Sequence, residues 1–220
     1  MPEAARDLAA GRDRLPPGRH GLPRAFVAEN QRERLLNAVV EAVAEHGYNE
    51  TTIGRIVEAA KISRRTFYEY FSDKEECFLA AYAMIDAHVR GAVLASSDEA
   101  EPWPEQVRER LSILLNVLSH DPDVARFYLV EPLSAGGELA ARYRDAMQLL
   151  AETIRPRPAL SGMDVEVRDQ VLIGGVTTLI SRRLKVGEAE RLDELLPDLT
   201  ELVLAPCLGR DEARRFAHGR

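Results

Sequence analysis

An all-α fold is what this sequence predicts, and three observations predict it. Apolar residues recur at the three-to-four spacing of a helix through most of the chain. No run alternates with the period of two that a strand would show. With 45% apolar and 30% charged residues, and Gly and Pro gathered mainly in a few short stretches, the composition is that of a soluble, helix-rich protein. A chain of 220 residues can hold one large domain, or a small domain joined to a larger one.

Residues 1–25 carry Pro16, Pro17, Gly18, Gly21 and Pro23 among scattered arginines and lack the apolar surface to order themselves. They read as a flexible arm. From Glu29 the pattern changes: Leu35, Leu36, Val39, Val40 and Val43 keep helical spacing until Gly47, a helix terminator. Thr51 and Thr52 then offer hydroxyl caps to a short helix through Ile53, Ile56, Val57 and Ala60. After Lys61 and Ile62, Ser63 caps a third helix of about two turns, with Phe67 and Phe71 four apart on its inner face. Ser72 and Glu75 have the spacing of a capping box for a fourth helix through Phe78, Leu79, Tyr82, Met84 and Ile85. Breaks at 96–105, 121–123, 134–138 and 155–162 divide the helical remainder. Two final segments follow, 164–185 and 192–204, and the residues from 209 read as a frayed tail. The domain boundaries expected are thus an arm at 1–25, a small head at 26–73, a larger helical domain at 74–208 and a tail at 209–220.

Composition also excludes several classes of function. Cys77 and Cys207 lie far apart with no Cys/His cluster, so neither a metal site nor a disulfide framework is expected, and the reduced thiols suit the cytoplasm. No stretch reads as a membrane helix or a signal peptide. No GxSxG, HExxH, P-loop or GxGxxG in a strand-to-helix setting is present, and the five histidines are scattered, so neither an enzyme nor a cofactor is expected. The net charge of −7 is uneven: residues 1–74 hold 12 Lys/Arg against 11 Asp/Glu, and the remainder 17 against 25.

Against that acidic background, KISRRTFYEYFSDKEE at 61–76 gathers four rings and four basic side chains. Two short helices joined by a tight turn, braced by a preceding helix, are the parts of a helix-turn-helix, whose second helix enters the DNA major groove. With Phe67 and Phe71 inward, Arg65 and Glu69 face outward and Thr66 and Tyr68 flank them. Tyr68 and Tyr70 can offer hydroxyls to phosphates. Arg64 and Arg65 can bond guanine or phosphate, Thr66 can lay its methyl on thymine, and Glu69 can accept from a cytosine amino group.

The stretch GYNETTIGRIVEAAKISRRTFYEYFSDKEE resembles the amino-terminal helix-turn-helix of the TetR family of bacterial transcriptional regulators. The match spans about residues 30 to 80 and rests on Gly47, Tyr48, Thr51, Thr52, Ser63, Thr66, Tyr68, Phe71 and Lys74. The resemblance implies that Thr51 or Thr52 and Lys74 clamp phosphates, that Tyr68 and Tyr70 line the backbone, and that Arg64, Arg65 and Thr66 meet base edges, with Lys61 and Ser63 at the turn. The chain departs from the family at two points. Lys61 stands where glycine is common, so it must tolerate the backbone of the turn. Glu69 stands where a basic residue is frequent.

The resemblance further implies a homodimer, built by packing 164–185 and 191–204 against the same pair from a second subunit. Gly174, Gly175, Leu179, Leu195, Leu199 and Leu202 are the interface expected, the glycines allowing close helix approach. For a small-molecule effector among the middle helices, the candidates are Trp103, Asn116, His120 and Phe127, together with Tyr128, Arg142, Tyr143 and Met147. The expectation is therefore a ligand-responsive repressor that binds a double-stranded, palindromic operator. A helical protein-interaction adaptor is the alternative; it would share the leucine stripe but not the chemistry of Ser63 to Lys74.

Overall fold

The computed structural model of the protein describes residues 24–95, 100–155 and 164–218, which are helical apart from turns, with no strand among them. The chain divides after Tyr82 into two compact units.

The first unit holds α1 (Arg24–Glu50), α2 (Ile53–Ala60), α3 (Arg64–Tyr70) and the start of α4 (Lys74–Ala95). Helix α1 begins five residues before the apolar pattern does, and Gly47 breaks it at φ 76°, a conformation that a Cβ would disfavour. Leu35, Leu36, Val39, Val43, Ile56, Phe67, Cys77 and Phe78 are fully or almost fully buried, and with Phe71 they form the core of this head. Burial of Phe67 and Phe71, whose ring centroids lie 5.9 Å apart, fixes which side of α3 faces outward. The Cys77 thiol is pushed up to about 12 by burial, and its sulfur donates to the Leu35 carbonyl.

Helix α4 starts one residue later than its expected capping box. Asp73, not Ser72, caps it, its Oδ1 accepting from the Glu76 N–H at 2.8 Å. Glu76, not Glu75, reaches back to the Ser72 N–H and hydroxyl, both at 2.7 Å. Those two bonds hold the Glu76 carboxyl below its ordinary range. The box S-x-x-E was visible in sequence; the structure instead caps from Asp73, with the Glu76 carboxylate reaching one residue further back, to Ser72, than a capping box would. By length and composition α4 is also apolar enough to cross a membrane, which the sequence reading did not anticipate. Its apolar residues serve the protein interior: Phe78, Tyr82, Ile85, Val89 and Val93 are all buried.

The second unit comprises the rest of α4, α5 (Trp103–His120), α6 (Pro122–Leu129), α7 (Glu131–Ala135), α8 (Gly137–Ile154), α9 (Val165–Lys185), a 3-10 segment (Ala189–Leu195), α10 (Leu196–Leu208) and α11 (Arg210–Ala217). Helix α5 packs on the 3-10 segment and α10, and α9 packs on α8 and α6. Asp121 caps α6 through a 3.1 Å bond from the Val124 N–H. The expected tail at 209–220 is instead the helix α11 over most of its length, packed on α10 with Ala213 and Ala217 buried and Arg210 and Arg214 both bonded to Glu201. The expected arm at 1–25 lies outside the described residues but for its last two, which begin α1.

Candidate nucleic-acid interface

Helix α2 opens with Thr52 as N-cap, its Oγ1 accepting from the Arg55 N–H at 3.3 Å. It closes at Lys61 in the left-handed region, φ 53° and ψ 44°, the one non-glycine residue with positive φ among those described. Arg34 of α1 donates to the carbonyls of Ala60 and Lys61, supplying the partners that the end of α2 lacks. Ser63 then caps α3, accepting from the Thr66 N–H at 3.1 Å, and its hydroxyl lies 2.9 Å from that of Thr66. A tight turn between two capped short helices is thereby fixed, as the spacing predicts.

The side of α3 turned from the core presents Arg64, Arg65, Tyr68 and Glu69, all exposed. The Tyr68 side stands edge-on to Phe67, with centroids 5.6 Å apart. Arg65 Nε donates to Glu69 Oε1 at 3.4 Å, one turn along the helix. Arg64 folds the other way: a Cβ on Gly54 of α2 would stand 3.1 Å from its Nη2, so this guanidinium lies along the first turn of α2. Neither Lys61 nor Arg64 has an anionic partner among the described residues, which leaves two uncompensated cations beside the Arg65–Glu69 pair.

Three expected contact residues turn inward. Thr51 is buried, its hydroxyl donating to the carbonyls of Ala42 at 3.1 Å and Gly47 at 2.8 Å, so it ties α2 to α1 and cannot reach a phosphate. Lys74 Nζ donates to the carbonyls of Tyr48 and Thr51 at 2.9 Å and Asn49 at 3.4 Å, and lies 4.4 Å from the Tyr48 ring centroid. Its charge knits the α1–α2 turn. Tyr70 donates its hydroxyl proton to Gln31 Oε1 at 3.1 Å, and burial, with the nearby Glu69 charge, raises its pKa. Sequence reasoning missed Arg34 and Gly54. Nothing in a single sequence marks an arginine as the cap of a helix 26 residues away, and a lone helical glycine announces close approach without naming what approaches.

Of the effector candidates, Asn116, His120 and Arg142 are exposed, whereas Phe127, Tyr128, Tyr143 and Met147 are buried and Trp103 is half-buried, donating to the Arg155 carbonyl at 3.1 Å. The Tyr128 hydroxyl donates to Asp86 Oδ1 at 2.8 Å, and Arg90 Nε donates to Asp86 Oδ2 at 3.0 Å. Asp86 is thus a buried carboxylate with both oxygens bonded, absent from the sequence reading. Burial pushes the Tyr143 hydroxyl up. Among the expected interface residues, Leu195 and Leu199 are buried in the protomer's own core and are not free to meet a partner. Gly174 and Leu202 are exposed, Gly175 and Leu179 half-buried, and a Cβ on Gly175 would meet Leu202 Cδ2 at 3.0 Å. Val167 and Val171, 52% and 64% exposed, lie on the same stripe of α9 as Gly174 and Thr178, and the sequence reading omitted them.

Residues 35–81, which hold α2, α3 and the turn between them, match the pattern of the bacterial regulatory proteins of the tetR family. This segment is a TetR-type helix-turn-helix. Similarity continues over most of the remaining length of the chain. The transcriptional repressor AcnR of Corynebacterium efficiens is 28% identical over 185 residues, 78% of this chain and 91% of the relative. The fatty acid degradation regulator FadR of Bacillus halodurans has the same fold, with a TM-score of 0.67 at 19% identity, covering 79% of this chain and 94% of that one. FadR of Thermus thermophilus, a TetR-family repressor solved in complex with lauroyl-CoA, is 25% identical with a TM-score of 0.59, over 80% of this chain and 95% of its own. These relatives are transcriptional regulators, and this chain shares their helix-turn-helix head and helical fold.

Proposed function

We propose that the protein is a cytoplasmic, ligand-released repressor that binds a palindromic operator as a homodimer. The observation that carries the reading is the outward side of α3, where Arg64, Arg65, Thr66 and Tyr68 stand on a helix anchored from beneath by Phe67 and Phe71. Arg65 is the guanine reader, Thr66 offers its methyl because its hydroxyl faces Ser63, and Tyr68, Lys61 and Thr52 meet the backbone. Two copies of α3 would lie about 34 Å apart, one helical turn of DNA.

The exposed stripe of Val167, Val171, Gly174 and Thr178 on α9, with Leu202 of α10, supports the dimer face. Apolar surface of this kind is removed from water when the second subunit covers it. Replacing Val171 with Glu is expected to give a monomer by light scattering and to abolish tight operator binding while leaving the helical signal intact.

The effector sits among α5, α6, α8 and α9 and has a long apolar part. Phe127, Tyr143 and Met147 supply apolar surface there, and the lauroyl-CoA complex of the Thermus relative supports an acyl thioester as the first probe. The ligand need favour the DNA-free state by only about 1–3 kcal/mol to weaken binding severalfold or more. Titration of the protein's own promoter fragment, read by fluorescence anisotropy, tests the reading. Affinity should fall steeply with log salt as phosphate contacts release counterions, and lauroyl-CoA should lower it further. Binding to duplex DNA that is absent at low salt would turn the reading toward a protein-binding adaptor.

A further inference from the structure

The geometry points to Glu69 as a positioning residue for base recognition: it grips Arg65 by Nε and leaves the two terminal nitrogens of that guanidinium aimed as a fork for the O6 and N7 of one guanine. This rests on the proposed placement of α3 in the major groove and adds to it the residue that sets specificity.

Four observations carry it. First, the contact is made by Nε alone, Arg65 Nε to Glu69 Oε1 at 3.4 Å, and Nη1 and Nη2 bond nothing among the described residues. Bidentate recognition of guanine needs two parallel N–H donors held in one plane, so a carboxylate on the third donor orients the group without consuming the fork. Second, the pair is poorly explained as a helix stabiliser. Arg precedes Glu, the weaker order for a pair one turn apart, and Glu69 lies in the last turn of α3, where the helix dipole disfavours a negative charge. Third, both side chains are exposed, Arg65 at 91% and Glu69 at 57%, so the pair gains little in water and strengthens once DNA displaces that water. Fourth, Arg64, the neighbouring cation, is drawn back along α2 beside Gly54, which leaves Arg65 as the arginine at the centre of the outward side. Glu69 also lowers the attraction of α3 for phosphate, so it favours sequences that repay Arg65 with a guanine over sequences that do not.

Selection from a pool of duplexes with a randomised core, followed by sequencing, tests this with wild type, Arg65→Ala, Glu69→Ala and the double variant. The wild type is expected to enrich a guanine, at two symmetry-related positions, that Arg65→Ala no longer selects. Glu69→Ala should weaken preference for that same guanine about three- to tenfold, raise affinity for unrelated duplex, and leave the other selected positions and the melting temperature unchanged. The double variant should match Arg65→Ala in its lost preference for that guanine. If Glu69→Ala keeps the full guanine preference, the positioning role is overturned and the placement of α3 survives. If it instead erases a cytosine that Arg65→Ala leaves selected, Glu69 reads a base itself and the positioning role is again overturned. Should Arg65→Ala change no position while binding persists, the placement of α3 falls and the inference falls with it.

Discussion

Lys61 shows how a single residue can answer to two demands. It stands at φ 53°, where a Cβ costs about 1–2 kcal/mol, and glycine there would return part of that through its greater freedom in the unfolded chain. Lys61→Gly is expected to raise the stability of the protein by about 0.5–1 kcal/mol in denaturant titration. The same change should lower affinity for all duplexes alike and reduce the salt slope by about one phosphate contact. A residue kept at a structural cost is in this way separated from one kept for its charge. Lys74 is the converse case. Its ammonium bonds three turn carbonyls, so Lys74→Met should destabilise the protein by about 1.5–3 kcal/mol, measured by chemical denaturation, and any loss of DNA binding should scale with that loss of folding. The sequence identified Lys74, Thr51 and Tyr70 as functional polar residues but could not say which way each would turn. Direction at a junction between helices depends on carbonyls and side chains brought in from residues more than twenty positions away, as with Tyr48 beneath Lys74 and Gln31 beside Tyr70.

At the scale of elements, the short helices of the head were legible because their ends are written in local chemistry: Thr52 and Ser63 as caps, and two phenylalanines at one spacing. The start of α4 was misread by one residue because Ser72 and Asp73 are both good caps, and only the backbone decides between them. The end of the chain was misread for another reason. Helix α11 is rich in charge and fully buries only Ala213 and Ala217, with Phe216 half-buried, so its order comes from packing on α10 and from Glu201, neither of which a local pattern reveals. Helix α4 was recognised as apolar, yet its buried carboxylate was not. Asp86 is held by Tyr128 of α6 and by Arg90 one turn on. Tyr128→Phe removes one of these bonds while preserving the ring. A cost of about 1–3 kcal/mol in thermal or urea unfolding is expected, because the Asp86 oxygen is left without its donor inside the protein. Tyr128→Phe should also change the concentration of lauroyl-CoA needed for release if α6 borders the effector.

Over the whole molecule, the all-α class could be read from periodicity, whereas where one packing unit gives way to the next is not written in that pattern. The expected boundary after residue 73 followed a turn, and the structure divides after Tyr82, within α4, because a helix can belong to two packing units without any break in its sequence pattern. The two thiols fall on opposite sides of that division, Cys77 in one unit and Cys207 in the other. Burial holds the Cys77 thiol at about 12, so almost none of it is thiolate near neutrality, while Cys207 is partly accessible and raised less. Ellman's reagent should therefore titrate one equivalent per chain under native conditions and the second only as the head opens. A dye coupled at Cys207 would mark the larger unit alone, and the delayed colour from Cys77 would report local melting of the smaller one, without any engineered cysteine.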